Sequence, residues 1–133
     1  MSDGRKLVYI VDDEADIRDL LARALESSGF AVATISSGIE MMKRLREQTP
    51  DLILLDIMMS WVSGLELCQT LKKEELFRCI PVVIITAHHR SEIEEKIKAC
   101  GADDCLYKPF KIADLLAMAR KYTATAESSP AGN

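Results

Sequence analysis

The sequence has no CxxC pair, no apolar run approaching the thickness of a bilayer, no surplus of basic charge and little glycine or proline, and each shortage removes a class of protein. Six Gly and 4 Pro in 133 residues exclude collagen-like and low-complexity chains, and 48% hydrophobic with 29% charged residues is the composition of a folded globular protein. The longest apolar stretches, such as Val82 to Ile85, fall far short of the ~20 residues a spanning helix needs, so no membrane partner is expected. Lys plus Arg number 17 against 21 Asp plus Glu, a net charge of −4 that offers no basic surface to a phosphate backbone and disfavours direct nucleic-acid binding. The opening MSDGRKLVYIVDDE lacks the long apolar core of a secretory signal, and Cys68, Cys79, Cys100 and Cys105 are expected to be reduced core thiols of a cytoplasmic protein. A second folded domain is not expected at this length.

What is present is a regular alternation. Short apolar runs at Leu7–Val11, Phe30–Ile35, Leu52–Leu55, Val82–Ile85 and Cys105–Tyr107 are separated by helical patterns. Ile17, Leu20, Leu21, Ala24 and Leu25 recur at helical spacing before Gly29, which stands where a left-handed cap belongs. Further stripes are Ile39, Met42 and Leu45; Leu67, Cys68 and Leu71; Ile93, Ile97 and Cys100, closed by Gly101; and Ile112, Leu115, Leu116 and Ala119. Strands apolar at successive positions belong to a sheet buried on both faces, and strands alternating with helices form parallel βαβ units. The spacing therefore predicts an α/β fold of (βα)5 type. Residues 1–122 are expected to form one unit, and residues 123–133, TATAESSPAGN, small and polar, a flexible tail or the start of a linker.

In an open parallel sheet, ligands bind beyond the carboxyl ends of the strands. The residues closing the runs are Asp12 and Asp13 after the first, Ser36 and Ser37 after the second, Asp56 after the third, Thr86 after the fourth, and Lys108 with Pro109 after the fifth. Carboxylates converging on one edge repel unless a cation sits among them, and hard oxygen ligands suit Mg²⁺ or Mn²⁺. Metal, the Lys108 ammonium and the Thr86 hydroxyl together suit the oxygens of a phosphoryl group. No His, Ser or Cys stands in a nucleophile position at these strand ends, so the nucleophile is a carboxylate and its product an acyl phosphate. Asp56, closing a central run, is the best candidate. Asp12 and Asp13, being adjacent, are better placed to hold metal. Singly, each of these residues has an ordinary structural use, as a helix cap or a turn; their joint placement on one edge is what points to a site.

The segments VDDEADIRDLL, DLILLDIMM, PVVIITA and GADDCLYKPF, in that order and over about residues 6 to 121, resemble the landmarks of the response-regulator receiver domain of two-component signalling. The resemblance implies a doubly wound, flavodoxin-like five-stranded parallel sheet of order 2-1-3-4-5. It further implies that Asp56 accepts a phosphoryl group from a histidine kinase or histidine phosphotransfer protein. Asp12 and Asp13 would bind Mg²⁺ with Asp56 and the Met58 backbone carbonyl, Thr86 would be the switch hydroxyl, and Lys108 would contact the phosphoryl group. A cis Lys108–Pro109 bond, a downstream protein or missing output domain as partner, and a monomer or weak phosphorylation-dependent dimer are implied as well. Such a protein is a kinase substrate with self-dephosphorylation only, rather than an enzyme.

This chain departs from the family pattern in two places. Ser60, Ser63 and Gly64 stand where Pro and Asp-Gly are common, and Cys105 stands where most members carry Tyr or Phe. Period-2 alternation puts Cys105 and Tyr107 on one face of the fifth strand, with Tyr107 the nearest aromatic able to report on the site. His88 and His89 are expected to be a solvated loop pair, not zinc ligands. His88 and Met58 nonetheless occupy the family positions that flank the attacking water. Trp61 is expected to be a hydrophobic lid, and Glu92, Glu94, Glu95, Lys96 and Lys98 the solvated face of the fourth helix. An aspartyl phosphohydrolase would show acids two apart on the first strand and a substrate cap, and neither is encoded. A receiver-like module working without phosphorylation would be favoured by loss of Asp56, Asp13 or Lys108, all of which are kept.

Overall fold

The computed structural model describes residues 4–57, 64–87 and 91–124, without the side chain of Glu92. In chain order the elements are β1 (Leu7–Val11), α1 (Ala15–Ser27), β2 (Ala31–Ile35), α2 (Gly38–Glu47), β3 (Leu52–Asp56), α3 (Gly64–Lys73), β4 (Val82–Thr86), α4 (Ser91–Ala99), β5 (Asp104–Tyr107) and α5 (Ile112–Thr123). The strands form one sheet of order β2-β1-β3-β4-β5. All four pairings are parallel, as strands joined by crossover helices require.

Alternation along each strand divides the apolar residues between two cores. Tyr9, Val11, Ile53, Leu55, Val82 and Ile84 face Met41, Leu45, Leu67, Cys68, Leu71 and Ile97 on α2, α3 and α4. Their neighbours Val8, Ile10, Leu52, Leu54, Val83 and Ile85 face Leu21, Leu25, Leu115 and Ala119 on α1 and α5. Successive apolar residues in β3 and β4 thus have the physical meaning expected of them, since every residue of these two strands is buried. The edge strands β2 and β5 are buried only in part.

Some helix phases differ from the expected stripes. Leu20, Ile39 and Ile112 are 55%, 81% and 40% exposed. In α2 the inward face is Gly38, Met41 and Leu45, because Gly38 lies so close to Leu67 that an added Cβ would meet its methyl carbon at 2.7 Å. Turning that close approach toward α3 swings Ile39 outward. Ser36 and Ser37 prove to be capping residues: Ser37 Oγ accepts from the Glu40 N–H at 3.2 Å, and Glu40 Oε1 accepts from the Ser36 N–H at 3.1 Å. Gly29 and Gly101 have φ of +96° and +88°, as their cap positions require. The Lys108–Pro109 bond is cis.

At its far end α5 extends one residue beyond the expected boundary at 122. Thr123 is buried and its hydroxyl donates to the Ala119 carbonyl at 2.8 Å, a bond that keeps a polar residue within the helix. The remainder of the expected tail, 125–133, lies outside the described residues. All four thiols are free, but only Cys68 and Cys100 are buried; Cys105 is half-buried and Cys79 exposed, so the expectation of core thiols holds for two of the four. No described helix is long and apolar enough to cross a membrane.

Candidate functional site

Parallel strands deliver their last residues to one edge, and the expected site residues gather there. Asp12 follows β1, Asp56 and Thr86 end β3 and β4, and Lys108 follows β5. Asp12, Asp56 and Thr86 are buried, whereas Asp13 is exposed. Carboxylate oxygens of Asp12, Asp13 and Asp56 all lie within 4.8 Å of one another. The Lys108 ammonium stands 3.7 Å from Asp56 Oδ2. β4 and β5 are tied beside it by the Lys108 N–H, which donates to the Thr86 carbonyl at 2.7 Å.

Asp12 bears the cost of this crowding. Its burial, with the adjoining Asp56 carboxylate adding to it, pushes its pKa up to about 6 against the pull of the Glu14 N–H and the Lys108 charge. A carboxyl raised in this way binds its proton more tightly folded than unfolded. The stability it contributes to the metal-free protein is present below about pH 4 and is lost as pH rises through about 6, on the order of 2 kcal/mol. We expect Asp12→Asn, always neutral, to gain stability relative to wild type over that interval. Denaturant titrations of both proteins without Mg²⁺ check it, and a constant difference from pH 4.5 to 7 would contradict the assignment.

Two contributors were not singled out from sequence. Arg18, half-buried on α1, donates from its guanidinium to the Asp12 carbonyl at 2.7 Å. Helical side chains tilt toward the N-terminus, so an arginine one turn into α1 reaches back over the turn that presents the acid pair. The same turn is closed by Asp12 Oδ1, which accepts from the Glu14 N–H at 2.9 Å. Removing the Arg18 charge would by electrostatics alone strengthen cation binding. Since its bond fixes the turn, we expect Arg18→Ala to weaken Mg²⁺ binding about threefold to tenfold, a sign that isothermal titration reads directly. The second contributor is Gly64. Read from sequence only as a loop glycine, it touches the phosphoacceptor candidate's own backbone: an added Cβ would lie 2.5 Å from the Asp56 carbonyl oxygen.

The expected metal ligand Met58 and the residues Ser60, Trp61, Ser63, His88 and His89 lie outside the described residues. Of the second departure more can be said: Cys105 and Tyr107 do share the α4 side of β5, and Tyr107 is half-buried.

A model of the response regulator receiver domain matches residues 8–120, nearly the whole described chain. The chain belongs to the response-regulator receiver family. Among its relatives, the phosphate regulon transcriptional regulatory protein PhoB of Rhizobium meliloti is 41% identical over 112 residues, covering 83% of this chain and 48% of that protein. The DNA-binding response regulator MtrA of Mycobacterium bovis is 32% identical over 131 residues, covering 98% and 56%. The receiver thus spans about half the length of these curated relatives. The chemotaxis protein CheY4 of Vibrio cholerae has the same architecture, with a TM-score of 0.84 at 26% identity over 90% of this chain and 99% of that one. As a receiver domain of two-component signalling, this chain is a phosphorylation-activated switch, and its acidic cluster is of the kind with which receivers bind Mg²⁺.

Proposed function

We propose that Asp56 is the phosphoacceptor, that Asp12 and Asp13 hold Mg²⁺ beside it with the Met58 carbonyl, and that Lys108 and Thr86 bind the phosphoryl oxygens. The observation that carries this reading is the Lys108 ammonium 3.7 Å from the Asp56 carboxylate, on the edge where three acids lie within 4.8 Å of one another. A structural ion pair would not need two further carboxylates crowded against it, whereas a cation site does.

An Asp56 carboxylate oxygen attacks phosphorus as the phosphohistidine P–N bond breaks, leaving an acyl phosphate on Asp56 and the electron pair on the imidazole nitrogen. Mg²⁺ when bound neutralises charge on the phosphoryl oxygens. Lys108 neutralises the remaining charge from the opposite side, and the buried Thr86 hydroxyl, next to the site on β4, donates a hydrogen bond. Asp12 and Asp13 orient the metal and Arg18 holds their turn.

The donor is a sensor histidine kinase or histidine phosphotransfer protein, and a cytoplasmic location follows from sharing a compartment with it. Loss of the phosphoryl group is by self-hydrolysis, with no turnover of a diffusible ester. The receiver unit is residues 1–122 together with the helix-closing Thr123. The signal passes to a downstream protein or to an output unit such as MtrA's name describes. The acidic receiver itself offers no surface for DNA. Intact mass after incubation with acetyl phosphate tests the chemistry. One phosphoryl group gained with Mg²⁺ and none with EDTA is the expected result; no gain with Mg²⁺ would overturn it.

A further inference from the structure

β5 carries an unusual pair on its α4 side. Cys105 and Tyr107 line a cavity of about 260 Å³ with Glu94, Ile97, Lys98 and Ala102, between the edge strand and α4. The Tyr107 hydroxyl is in hydrogen-bonding contact with the Glu94 carboxylate across that cavity and with the Cys105 thiol beside it. Neighbouring Cys105 and Glu94 together with partial burial push Tyr107 up to about 12, so it remains a proton donor under all physiological conditions. Its position along the strand matters as much as its partners. Tyr107 is the register partner of Thr86 and the covalent neighbour of Lys108, the two residues that would hold the phosphoryl group. No other described residue adjoins both while also bonding to α4.

We propose that the Tyr107–Glu94 bond is a latch, holding α4 in the arrangement in which Lys108 pairs with the Asp56 carboxylate, so that closing the latch and binding a phosphoryl group on Asp56 oppose each other. The latch rests on the reading of Asp56 as phosphoacceptor. A phosphoryl group gives Lys108 and Thr86 new oxygens to contact, drawing the end of β5 and its partner residue on β4 toward Asp56. Tyr107 travels with them, and its hydroxyl leaves Glu94. Cys105 permits this, since a small half-buried side chain leaves the cavity open for the ring to shift. Coupling of this kind is reciprocal: whatever phosphorylation does to the latch, removing the latch must do to phosphoryl affinity.

The experiment is a titration of the full chain with beryllofluoride, a phosphoryl mimic, in saturating Mg²⁺. It compares wild type, Tyr107→Phe, Glu94→Ala and the double variant. Tyr107→Phe removes one hydroxyl without changing charge and is expected to bind beryllofluoride about three- to tenfold more tightly. Glu94→Ala, on an exposed helix face, should do the same. The double variant should bind no more tightly than either single one, because one bond can be lost only once. Amide exchange along α4 in unliganded Tyr107→Phe should approach that of beryllofluoride-bound wild type. Unchanged or weaker binding by Tyr107→Phe, or additive gains in the double variant, overturns the latch. Wild type that binds no beryllofluoride overturns the phosphoacceptor reading itself, a result distinct from equal binding by all four proteins. Should Tyr107→Phe fold poorly, Glu94→Ala alone still decides: no gain sinks the latch.

Discussion

Asp56→Asn is expected to lose all phosphoryl uptake from acetyl phosphate and Mg²⁺ while gaining thermodynamic stability in the absence of metal. The first effect follows from chemistry: an amide has no carboxylate oxygen to attack phosphorus, and the other two carboxylates already crowd the metal position rather than facing Lys108. The second follows from electrostatics. Unit charges within 4.8 Å repel by roughly 1–3 kcal/mol at the effective dielectric constants of partly buried sites, and Asp56 sits within that distance of both Asp12 and Asp13. Loss of its pairing with Lys108 at 3.7 Å offsets part of the relief, leaving a net gain of about 1 kcal/mol. Added Mg²⁺ should reverse the order, since wild type binds it with one more charged ligand and is stabilised by that binding. The paired readouts, intact mass and denaturant midpoint with and without Mg²⁺, separate a functional carboxylate from a structural one. A structural Asp56 would lose stability on substitution in every condition, and a chain phosphorylated elsewhere would keep its adduct.

That opposition between stability and chemistry also accounts for what could be read from the chain. Asp12, Asp56, Thr86 and Lys108 were legible because each closes an apolar run, and parallel strands carry run ends to one edge whatever the intervening helices do. The two-faced sheet was legible for the same reason: LILL and VVII leave no polar face. Helix phase was less so. A stripe drawn through Ile39, Met42 and Leu45 is as periodic as the true face of Gly38, Met41 and Leu45, and only the close approach of Gly38 to Leu67 decides between them. Thr123 shows the limit of composition, for TATA reads as tail until the Thr123 hydroxyl finds the Ala119 carbonyl. Arg18 was hidden for another reason. Its partner is a main-chain carbonyl, and such contacts leave no pairing of residue types in the sequence to detect.

Gly64→Ala is the second substitution expected to have a large effect, and it acts on the same strand end through backbone alone. Gly64 opens α3, and its N–H donates to the Ile57 carbonyl at 3.4 Å, bringing the two ends of segment 58–63 together immediately after the phosphoacceptor. A Cβ on Gly64 would lie 2.5 Å from the Asp56 carbonyl oxygen and 2.6 Å from Ile57 Cα. Neither is the end of a flexible side chain that could turn aside. The Ile57 N–H meanwhile bonds the Ile85 carbonyl at 3.4 Å, so β3 cannot retreat without loosening its pairing with β4. The strain must be taken up by moving α3 or the Asp56 backbone, and overpacking of this sort costs about 1–3 kcal/mol, here at the upper end because both contacts are main chain. Moving Asp56 by a few tenths of an ångström also misdirects its carboxylate relative to Lys108, so phosphorylation by acetyl phosphate should slow by about tenfold or more. A denaturant titration and a phosphorylation time course on the same preparation check both halves. Gly38→Ala is the internal comparison: it also forces a contact below 3 Å, but against the methyl ends of Leu67, which can rotate. Its stability loss should be smaller, and its phosphorylation rate should stay near wild type, because the site's backbone is untouched. Equal rates in wild type and Gly64→Ala would show that the strain is absorbed entirely by α3 and that Asp56 is held independently of the glycine behind it.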